Sequence, residues 1–342
     1  MERTKGLKEY VKTETYRKAL GLPSEQVEEY RLLAQGEYNR NYVFVHPLTG
    51  KKLVLRVNFG SQMHLEQQTG YEYHALKLLG PSGRTPMVLY EDGSRQELDY
   101  GVLVMEYLPG RVLDYGADLA RAAACLADIH SVPMPENHGL LAPENPLAAI
   151  LEECEEMVRT YLESPRGDLE KKRTIRGMLD RAWQQTVPLV SPWHCCINTE
   201  LNSTNFLMND GGKDYLIDWE KPLYGDPAQD LGHFLAPTTT FWKTDVILDN
   251  SQVERFLDAY IQSVDGRFDT AGIRERTRKF IQITCLRGIT WCAMAWVQYQ
   301  NPEKEIFNES TFRKLEAYLD LEFLERIRRE YQTEDDDRYR ER

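Results

Sequence analysis

Three oxygen-bearing side chains lie close together in the sequence, in the segments INTELNSTNFLM (197–208) and IDWEKPLYGDPAQDL (217–231). Glu200 and Asn205 come before a short apolar strand pattern, and Asp218 ends a second one after an aspartate-glycine-glycine turn signal. A hairpin would bring the three together. A carboxylate could then lie beside a hydroxyl nucleophile, while an amide oxygen and a second carboxylate hold Mg²⁺, which prefers oxygen ligands. Ordinary loop chemistry is the alternative, because asparagine, serine and threonine also favour turns.

The composition limits the classes of partner. A chain of 342 residues with 42% hydrophobic residues can bury a sizeable core, and its length indicates two compact units rather than one. Its 54 acidic and 42 basic side chains leave a formal charge of -12, which disfavours a broad surface for nucleic acid or for an anionic membrane. Cationic small molecules or metal-bound phosphates suit this charge better.

Cysteine usage indicates the cytoplasm. The six cysteines show no metal-ligand spacing, and a chain of this size needs no disulfide framework. The adjacent Cys195 and Cys196 are either a redox or metal pair or small residues of a buried strand, and free cysteine is usually buried. The start, MERTKGLKEY, is charged from its second residue, so we expect no signal peptide. We also expect no segment near the roughly 20 apolar residues of a membrane span.

Hydrophobic periodicity predicts a strand-rich first part. We expect helices at 5–19 and 24–33, and then a β-hairpin in which NYVFVHP and KKLVLRVN flank the turn signal LTG. A helix should follow in EQQTGYEYHALKLLG and end at Gly80-Pro81. MVLYED and YGVLVMEYL are two further strands, the second apolar enough to be central in its sheet.

From Leu113 onward the pattern is mainly helical, interrupted at 193–218 by the hairpin described above. Helices are expected in LARAAACLADIH, PLAAILEECEEMVRTYLE, TIRGMLDRAWQQ, VERFLDAYIQSV and residues 272–299. We therefore predict a small antiparallel-sheet lobe with leading helices at 1–108, a larger helical lobe at 109–330 and a charged tail at 331–342.

The segments at 197–208 and 217–231 resemble the aminoglycoside phosphotransferase and choline kinase superfamily, relatives of the protein kinases. In that family the catalytic loop runs H-G-D-x-x-x-x-N, and I-D-W-E and G-D-P-x-x-D-L follow it. The resemblance places Glu200 at the catalytic aspartate, Asn205 at the metal-binding asparagine and Asp218 at the metal-binding aspartate. The order and length of these matches make the resemblance specific.

Three loop positions depart from the family pattern, since Asn198, Thr199 and Glu200 replace histidine, glycine and aspartate. Glutamate places its carboxylate roughly 1 to 1.5 Å further from the backbone, and about 1 Å of misplacement can cost roughly a hundredfold in rate. Phosphoryl transfer depends mainly on positioning and metal electrostatics, so a displaced base need not abolish it. Both metal-ligand positions are kept, which favours an enzyme over a pseudokinase.

Earlier segments match the family in the same order. QGEYNRNYVF resembles the short phosphate-covering turn, with Gly36 and Asn39 in place. Arg56 stands where the family has a cation facing the nucleotide phosphates, and Glu72 matches the helix glutamate that pairs with it. The alternatives are a strand-edge cation at Arg56 and an exposed helix acid at Glu72.

The segment LVMEYLPGRVL resembles the family's connection between lobes. There the backbone of Glu106, Tyr107 and Leu108 would meet the adenine edge, and Met105 would border it. Over residues 30–300 the resemblance implies a protein-kinase-like α+β fold, ATP or GTP as donor, Mg²⁺, and phosphorylation of a small-molecule hydroxyl. A catalytically silent nucleotide-binding or regulatory protein is the alternative from another class.

The acceptor class stays open among aminoglycosides, choline-like amino alcohols and sugars, and we expect neither a nucleic-acid nor a membrane partner. Trp291, Trp296 and Tyr299 could line part of a cationic pocket or belong to the core. The acids of LEECEEMVRTYLE could face a polyamine or aminoglycoside or form a solvated helix face; they are Glu152, Glu153, Glu155 and Glu156.

Overall fold

The computed structural model describes residues 4–25, 27–300 and 308–331. These residues form two compact units. The first contains the described residues of Met1–Leu141, Thr204–Tyr224 and Ala259–Arg267, and the second those of Ala142–Ser203, Gly225–Asp258 and Phe268–Arg342. The predicted lobe boundary at residue 108 stays a prediction, and the predicted tail lies outside the described residues from 332 onward.

Regular structure follows the periodicity of the sequence over most of the chain. The strands are β1 (Arg31–Gln35), β2 (Asn39–Val45), β3 (Lys52–Asn58), β4 (Val88–Asp92), β5 (Gly101–Glu106), β6 (Arg111–Val112), β7 (Cys195–Ile197), β8 (Phe206–Met208), β9 (Tyr215–Leu216) and β10 (Leu223–Gly225). The helices are α1 (Leu7–Tyr10), α2 (Glu14–Leu20), α3 (Gln68–Leu79), α4 (Leu119–His130), α5 (Pro146–Glu163), α6 (Leu169–Gln185), α7 (Pro227–Leu235), α8 (Pro237–Lys243), α9 (Asn250–Val264), α10 (Ile273–Tyr299), α11 (Glu309–Tyr318) and α12 (Leu321–Tyr331).

An antiparallel five-stranded sheet, with the order β1-β2-β3-β5-β4, dominates the first unit. The predicted hairpin is β2–β3, and β5 lies inside the sheet with its first five residues buried, as expected for a central strand. The helix predicted in EQQTGYEYHALKLLG is α3, which packs against β4 and β5. The sheet and this helix therefore hold the side chains of β3 and α3 in fixed register.

The helix predicted at 24–33 is wrong, because its last three residues belong to the edge strand β1, which pairs with β2, and the described residues 27–30 before it are not helical. Long-range contacts outweigh the helix propensity of this segment. Glu28 forms a buried ion pair with Arg17 at 3.0 Å, and Tyr30 belongs to the core of the sheet. The helix predicted at 5–19 is divided into α1 and α2, since the Thr13 side chain caps the start of α2.

The interruption predicted at 193–218 contains the expected hairpin, in which β8 pairs antiparallel with β9. β6 extends this hairpin to three strands within the first unit. β7 belongs to the second unit, and its Cys195 and Cys196 are fully buried free thiols, in agreement with the buried-strand interpretation.

The second unit is built around α10, which packs against α5, α7 and α8. By length and composition α10 could cross a membrane, so the expectation that no segment approaches a membrane span is wrong on that criterion. Of its most apolar 18-residue window, 61% is buried within the protein, as in the core helix of a globular unit. An antiparallel sheet in the first unit and a mainly helical later part give an α+β fold, as predicted.

Candidate active site

A buried arginine on β3 is the centre of the charged groups in the first unit. Arg56 Nη1 donates to Glu72 Oε1 on α3 at 2.6 Å, and Nη2 donates to Asp218 Oδ1 at 3.2 Å. Arg56 Nε donates to Asn41 Oδ1 at 3.1 Å. The Arg56 and Glu72 side chains are 8% and 2% exposed, which excludes both alternatives, a strand-edge cation and an exposed helix acid. The guanidinium is therefore fixed by three partners.

Three carboxylates interact electrostatically with this guanidinium. Burial by itself lowers the pKa of Arg56, but the carboxylates of Glu72, Asp218 and Glu220 outweigh it and hold that pKa above its ordinary value. Burial raises the pKa of Glu72, and the Asp218 carboxylate adds to this effect against the opposing influence of Arg56. The Arg56 guanidinium is thus held in its charged form by the carboxylates around it.

Asn205 and Asp218 lie at the same end of the β8–β9 hairpin. The Asn205 carbonyl accepts from the Ile217 amide at 2.9 Å, and Asp218 has a left-handed backbone with φ of 68°. The Asp218 side chain is 40% exposed. Asn205 and Asp218 offer the oxygen donors that Mg²⁺ prefers.

No group of three or more His, Cys, Asp or Glu side chains within the described ranges could hold a metal ion by itself. Mg²⁺ commonly takes one or two carboxylates and completes its octahedron with substrate phosphates and water. The donor set of Asn205 and Asp218 fits that arrangement and does not fit a cage made of protein ligands alone.

The predicted phosphate-covering turn is held by a side chain that sequence inspection missed. The Gly36 amide donates to the Asn39 carbonyl at 2.8 Å and closes the turn between β1 and β2. Asn39 Nδ2 donates to Glu220 Oε2, and Asn39 Oδ1 accepts from Asn58 at 2.9 Å. Gln68 of α3 donates to the Glu220 carbonyl at 2.7 Å. Glu220 therefore connects the turn, α3 and the IDWE segment, and the only signal in the sequence was its place in that segment.

The connection after β5 leaves one of the three predicted amides without an acceptor among the described residues. The Glu106 amide donates to the Met87 carbonyl at 2.8 Å, and the Tyr107 amide donates to the Lys52 carbonyl at 3.2 Å. Among the described residues no acceptor is found for the Leu108 amide. The predicted nucleobase contacts of Glu106, Tyr107 and Leu108 stay predictions, and Met105 before them is buried.

The loop before Glu200, in the second unit, is held by α7. The Asp230 carboxylate accepts from the amides of Asn198 and Thr199, both at 2.7 Å, and it is fully buried. Asn198 Oδ1 accepts from the Glu200 amide at 3.1 Å and forms an Asx turn. Asparagine thus supports the loop at the position where the family has histidine. Asp226 caps α7 and pairs with Arg276 of α10, which fixes α7 in turn.

The Glu200 side chain faces an arginine of α10. Arg287 Nη2 lies 3.5 Å from Glu200 Oε1. The same guanidinium binds Glu153 of α5 with two hydrogen bonds, Nε to Oε2 at 2.8 Å and Nη2 to Oε1 at 3.0 Å. Burial lowers the pKa of Arg287, but the hydrogen-bonded Glu153 outweighs it and holds that pKa above its ordinary value. Sequence reasoning missed this residue, although a charge inside the apolar run ITCLRGITWC was a signal.

The residues considered for a cationic acceptor are mostly engaged in packing or ion pairs. Trp296 packs edge-on against Tyr161 at 5.8 Å between ring centroids, and Trp291 against Trp242 at 5.2 Å. Trp296 and Tyr299 pack against a small buried cluster of the second unit, in agreement with the core interpretation. That interpretation is wrong for Trp291, which is 40% exposed. Two of the four acids are paired, Glu153 as described and Glu155 with Arg176 at 2.6 Å.

Comparison with known proteins gives the family. The model of the phosphotransferase enzyme family APH matches residues 29–276. A choline kinase from Cryptosporidium parvum Iowa II and a putative aminoglycoside phosphotransferase from Ralstonia eutropha JMP134 have similar structures, each with a TM-score of 0.65 and 13% identity. Each match covers 94% of this chain, and 96% and 98% respectively of the other chain.

A spectinomycin phosphotransferase, solved with ADP and spectinomycin, matches with a TM-score of 0.60 at 12% identity, over 90% of this chain and 93% of that one. No curated protein matches the sequence. The structural matches show that the fold is shared with these kinases, which confirms the predicted protein-kinase-like class. The family model spans well over half of the chain, and the chain therefore belongs to the phosphotransferase enzyme family.

Proposed function

We propose that the protein transfers the γ-phosphate of ATP or GTP to a hydroxyl group of a small molecule. The observation that carries this proposal is the Arg56–Glu72–Asp218 cluster, in which a buried guanidinium is fixed beside a half-exposed carboxylate. A fixed guanidinium suits the binding of phosphate oxygens, and the Asp218 carboxylate beside it suits the binding of the metal ion that accompanies them. The Leu108 amide supports a nucleobase subsite at the connection after β5.

Each residue of the proposed active site has a separate role in the reaction. Asp218 and Asn205 hold Mg²⁺, and Arg56, kept in place by Glu72, orients the nucleotide phosphates. Mg²⁺ held by these two side chains would neutralise the charge that develops on the phosphate oxygens. Glu200 accepts the proton of the acceptor hydroxyl. That oxygen then forms a bond to the γ-phosphorus while the bond to the β,γ-bridging oxygen breaks, and the nucleoside diphosphate leaves.

For the acceptor we propose only a chemical class, a cationic small molecule. Two of the structural neighbours are named for their substrates, a spectinomycin phosphotransferase and a choline kinase. The net charge of -12 also favours a cationic acceptor for this protein. A screen over aminoglycosides, choline-like amino alcohols and sugars would separate these classes. We also propose a cytoplasmic location from cysteine usage, since all six cysteines are free thiols.

Calorimetric titration with ATP and with GTP, each with and without Mg²⁺, tests the nucleotide and metal assignments before any acceptor is known. We expect metal-dependent binding that Asp218→Asn weakens by at least tenfold. Asp99→Asn is the matched control, because Asp99 is an exposed aspartate of the same unit. Equal binding by wild type and Asp218→Asn would remove Asp218 from the metal site.

Turnover tests the role of Glu200. We expect Glu200→Gln to lower kcat by roughly a hundredfold or more, as for loss of a positioned base, while metal-dependent nucleotide binding stays unchanged. Glu156→Gln, at an exposed position of α5, is the control. Nucleotide binding by the wild type without turnover on any acceptor would favour the silent binding protein.

A further inference from the structure

The carboxylate at the catalytic position is one methylene longer than the family's aspartate, and the structure contains a group that restricts it. A glutamate side chain has an additional rotatable bond, so a free Glu200 would sample more orientations than aspartate. Arg287 Nη2 lies 3.5 Å from its Oε1 atom. An opposite charge at this distance favours the orientation that faces it.

Arg287 is itself fixed more firmly than a surface arginine. Its two hydrogen bonds to Glu153 form a planar fork, the geometry in which a guanidinium loses least freedom. Arg287 and Glu153 lie on α10 and α5, which pack against each other in the second unit. The Arg287 side chain is only 20% exposed. The guanidinium is therefore a rigid partner whose position is set by two long helices.

Arg287 has electrostatic partners on α5 and in the Glu200 loop. Arg287 interacts electrostatically with Glu153, Glu200 and the buried thiol of Cys154, and two carboxylates thus share one guanidinium. The backbone of the loop is held separately, by Asp230 at the amides of Asn198 and Thr199. Loop backbone and Glu200 side chain accordingly have different supports.

On the basis of the proposed function, we propose that Arg287, anchored by Glu153, is a positioning residue that fixes the carboxylate of Glu200 and so compensates for the longer side chain at the catalytic position. The same chemistry predicts that aspartate is a poor replacement here, although aspartate is the family's residue. The shorter side chain would withdraw its carboxylate from the guanidinium of Arg287.

Steady-state release of phosphate from Mg·ATP, with water as acceptor and then with any acceptor that a screen finds, tests this role. We expect Arg287→Ala to lower kcat by about a hundredfold, the effect of about 1 Å of misplacement, with KM for Mg·ATP unchanged. Arg287→Lys should restore part of kcat, because it keeps the charge without the fork. Arg278→Ala is the matched control, since Arg278 is a paired arginine of the same helix that contacts Glu254.

A double-mutant cycle separates positioning from a general structural effect. Glu200→Asp should lower kcat in the wild-type background and cost little more in Arg287→Ala, because residues that act as a unit are not additive. Additive losses of kcat, or an Arg287→Ala variant with wild-type kcat, would overturn the positioning role of Arg287 but would leave the proposed function in place. A wild-type protein that binds Mg·ATP without any turnover would overturn the proposed function and this inference with it. Unfolding midpoints of all variants show whether the fold is kept.

Discussion

Thr199 has a backbone conformation that its side chain disfavours. Its φ is 70°, in the left-handed region that glycine adopts without strain and that a β-branched residue rarely occupies. The conformation persists because the Asp230 carboxylate accepts from the Thr199 amide at 2.7 Å. Backbone strain of this kind costs roughly 1 to 3 kcal/mol and collects at functional loops. The loop before Glu200 therefore keeps the shape expected with glycine while containing threonine.

The strain at Thr199 leads to a testable order of stability. We expect Thr199→Gly to have a higher free energy of unfolding than Thr199→Ala by about 1 kcal/mol, the reverse of the order in an unstrained segment. Urea unfolding of the two variants measures the difference. Thr204→Gly and Thr204→Ala are the matched pair at a position of the same loop without positive φ. Equal stability of the two Thr199 variants would show that the left-handed backbone carries no strain.

At the scale of single residues, the sequence predicted which residues belong to the site better than it predicted the contacts that they make. Arg56 and Glu72 were predicted as a pair through the family resemblance, and the structure places them 2.6 Å apart. The contacts of Glu220 and Arg287 were missed, because their partners lie far away along the chain. Local patterns carry no information about such long-range pairs. An unexpected charge inside an apolar helix was the one sign available for Arg287.

At the scale of elements, close approach of α7 and α10 depends on a glycine. A Cβ atom at Gly232 would clash with Phe280 Cβ and lie 2.9 Å from the Ile281 backbone nitrogen. These helices carry Asp230, which accepts from the amides of the loop before Glu200, and Arg287, which faces the Glu200 side chain. Since backbone atoms cannot move aside cheaply, the helices would have to separate to admit even a methyl group.

Two glycine-to-alanine substitutions give opposite expectations. We expect Gly232→Ala to lower the free energy of unfolding by roughly 1 to 3 kcal/mol through overpacking. Gly177→Ala, in α6, should raise it by roughly 0.5 to 1 kcal/mol, because a Cβ there meets no atom within 4 Å and alanine is the better helix former. Chemical denaturation of both variants tests the pair. A Gly232→Ala protein as stable as wild type would show that α7 and α10 can separate without cost.

The elements themselves were predicted where the pattern is long and regular. The β2–β3 hairpin, α3, α5 and α10 follow from periodicity and turn signals. β1 was predicted as part of a helix, because its helix-forming residues give no sign of the pairing with β2 that decides its structure. α7 was not predicted as a helix, although Asp226-Pro227 is a regular capped start with proline in the first turn.

At the scale of the whole molecule, the acidic composition makes stability depend on pH. Hydrogen bonds or ion pairs hold several carboxyl pKa values below their ordinary values, among them those of Asp118 beside Arg111 and Glu155 beside Arg176. Such groups stabilise the fold above their unfolded pKa, and the contribution is lost as the pH falls through the folded pKa. Glu72 acts in the opposite direction: its pKa is raised by burial, so its ionisation weakens the fold as the pH rises through the folded pKa.

Glu155 offers a direct test of this dependence. Arg176 binds its two oxygens at 2.6 and 2.7 Å and lowers its pKa from 4.5, and the Trp183 indole donates to it at 3.1 Å. We expect Glu155→Gln to lower the free energy of unfolding by about 1 kcal/mol at pH 7, the upper range for a partly exposed pair. The difference from wild type should shrink as the pH falls below 4.5 and through the lowered pKa of the folded Glu155 carboxyl, because protonation removes the charge that Arg176 binds. Urea titrations at pH 7, 5, 4 and 3 measure it, with Glu156→Gln as the exposed control. A difference that stays constant down to pH 3 would mean that the ion pair with Arg176 contributes nothing and that only the shape of the side chain matters.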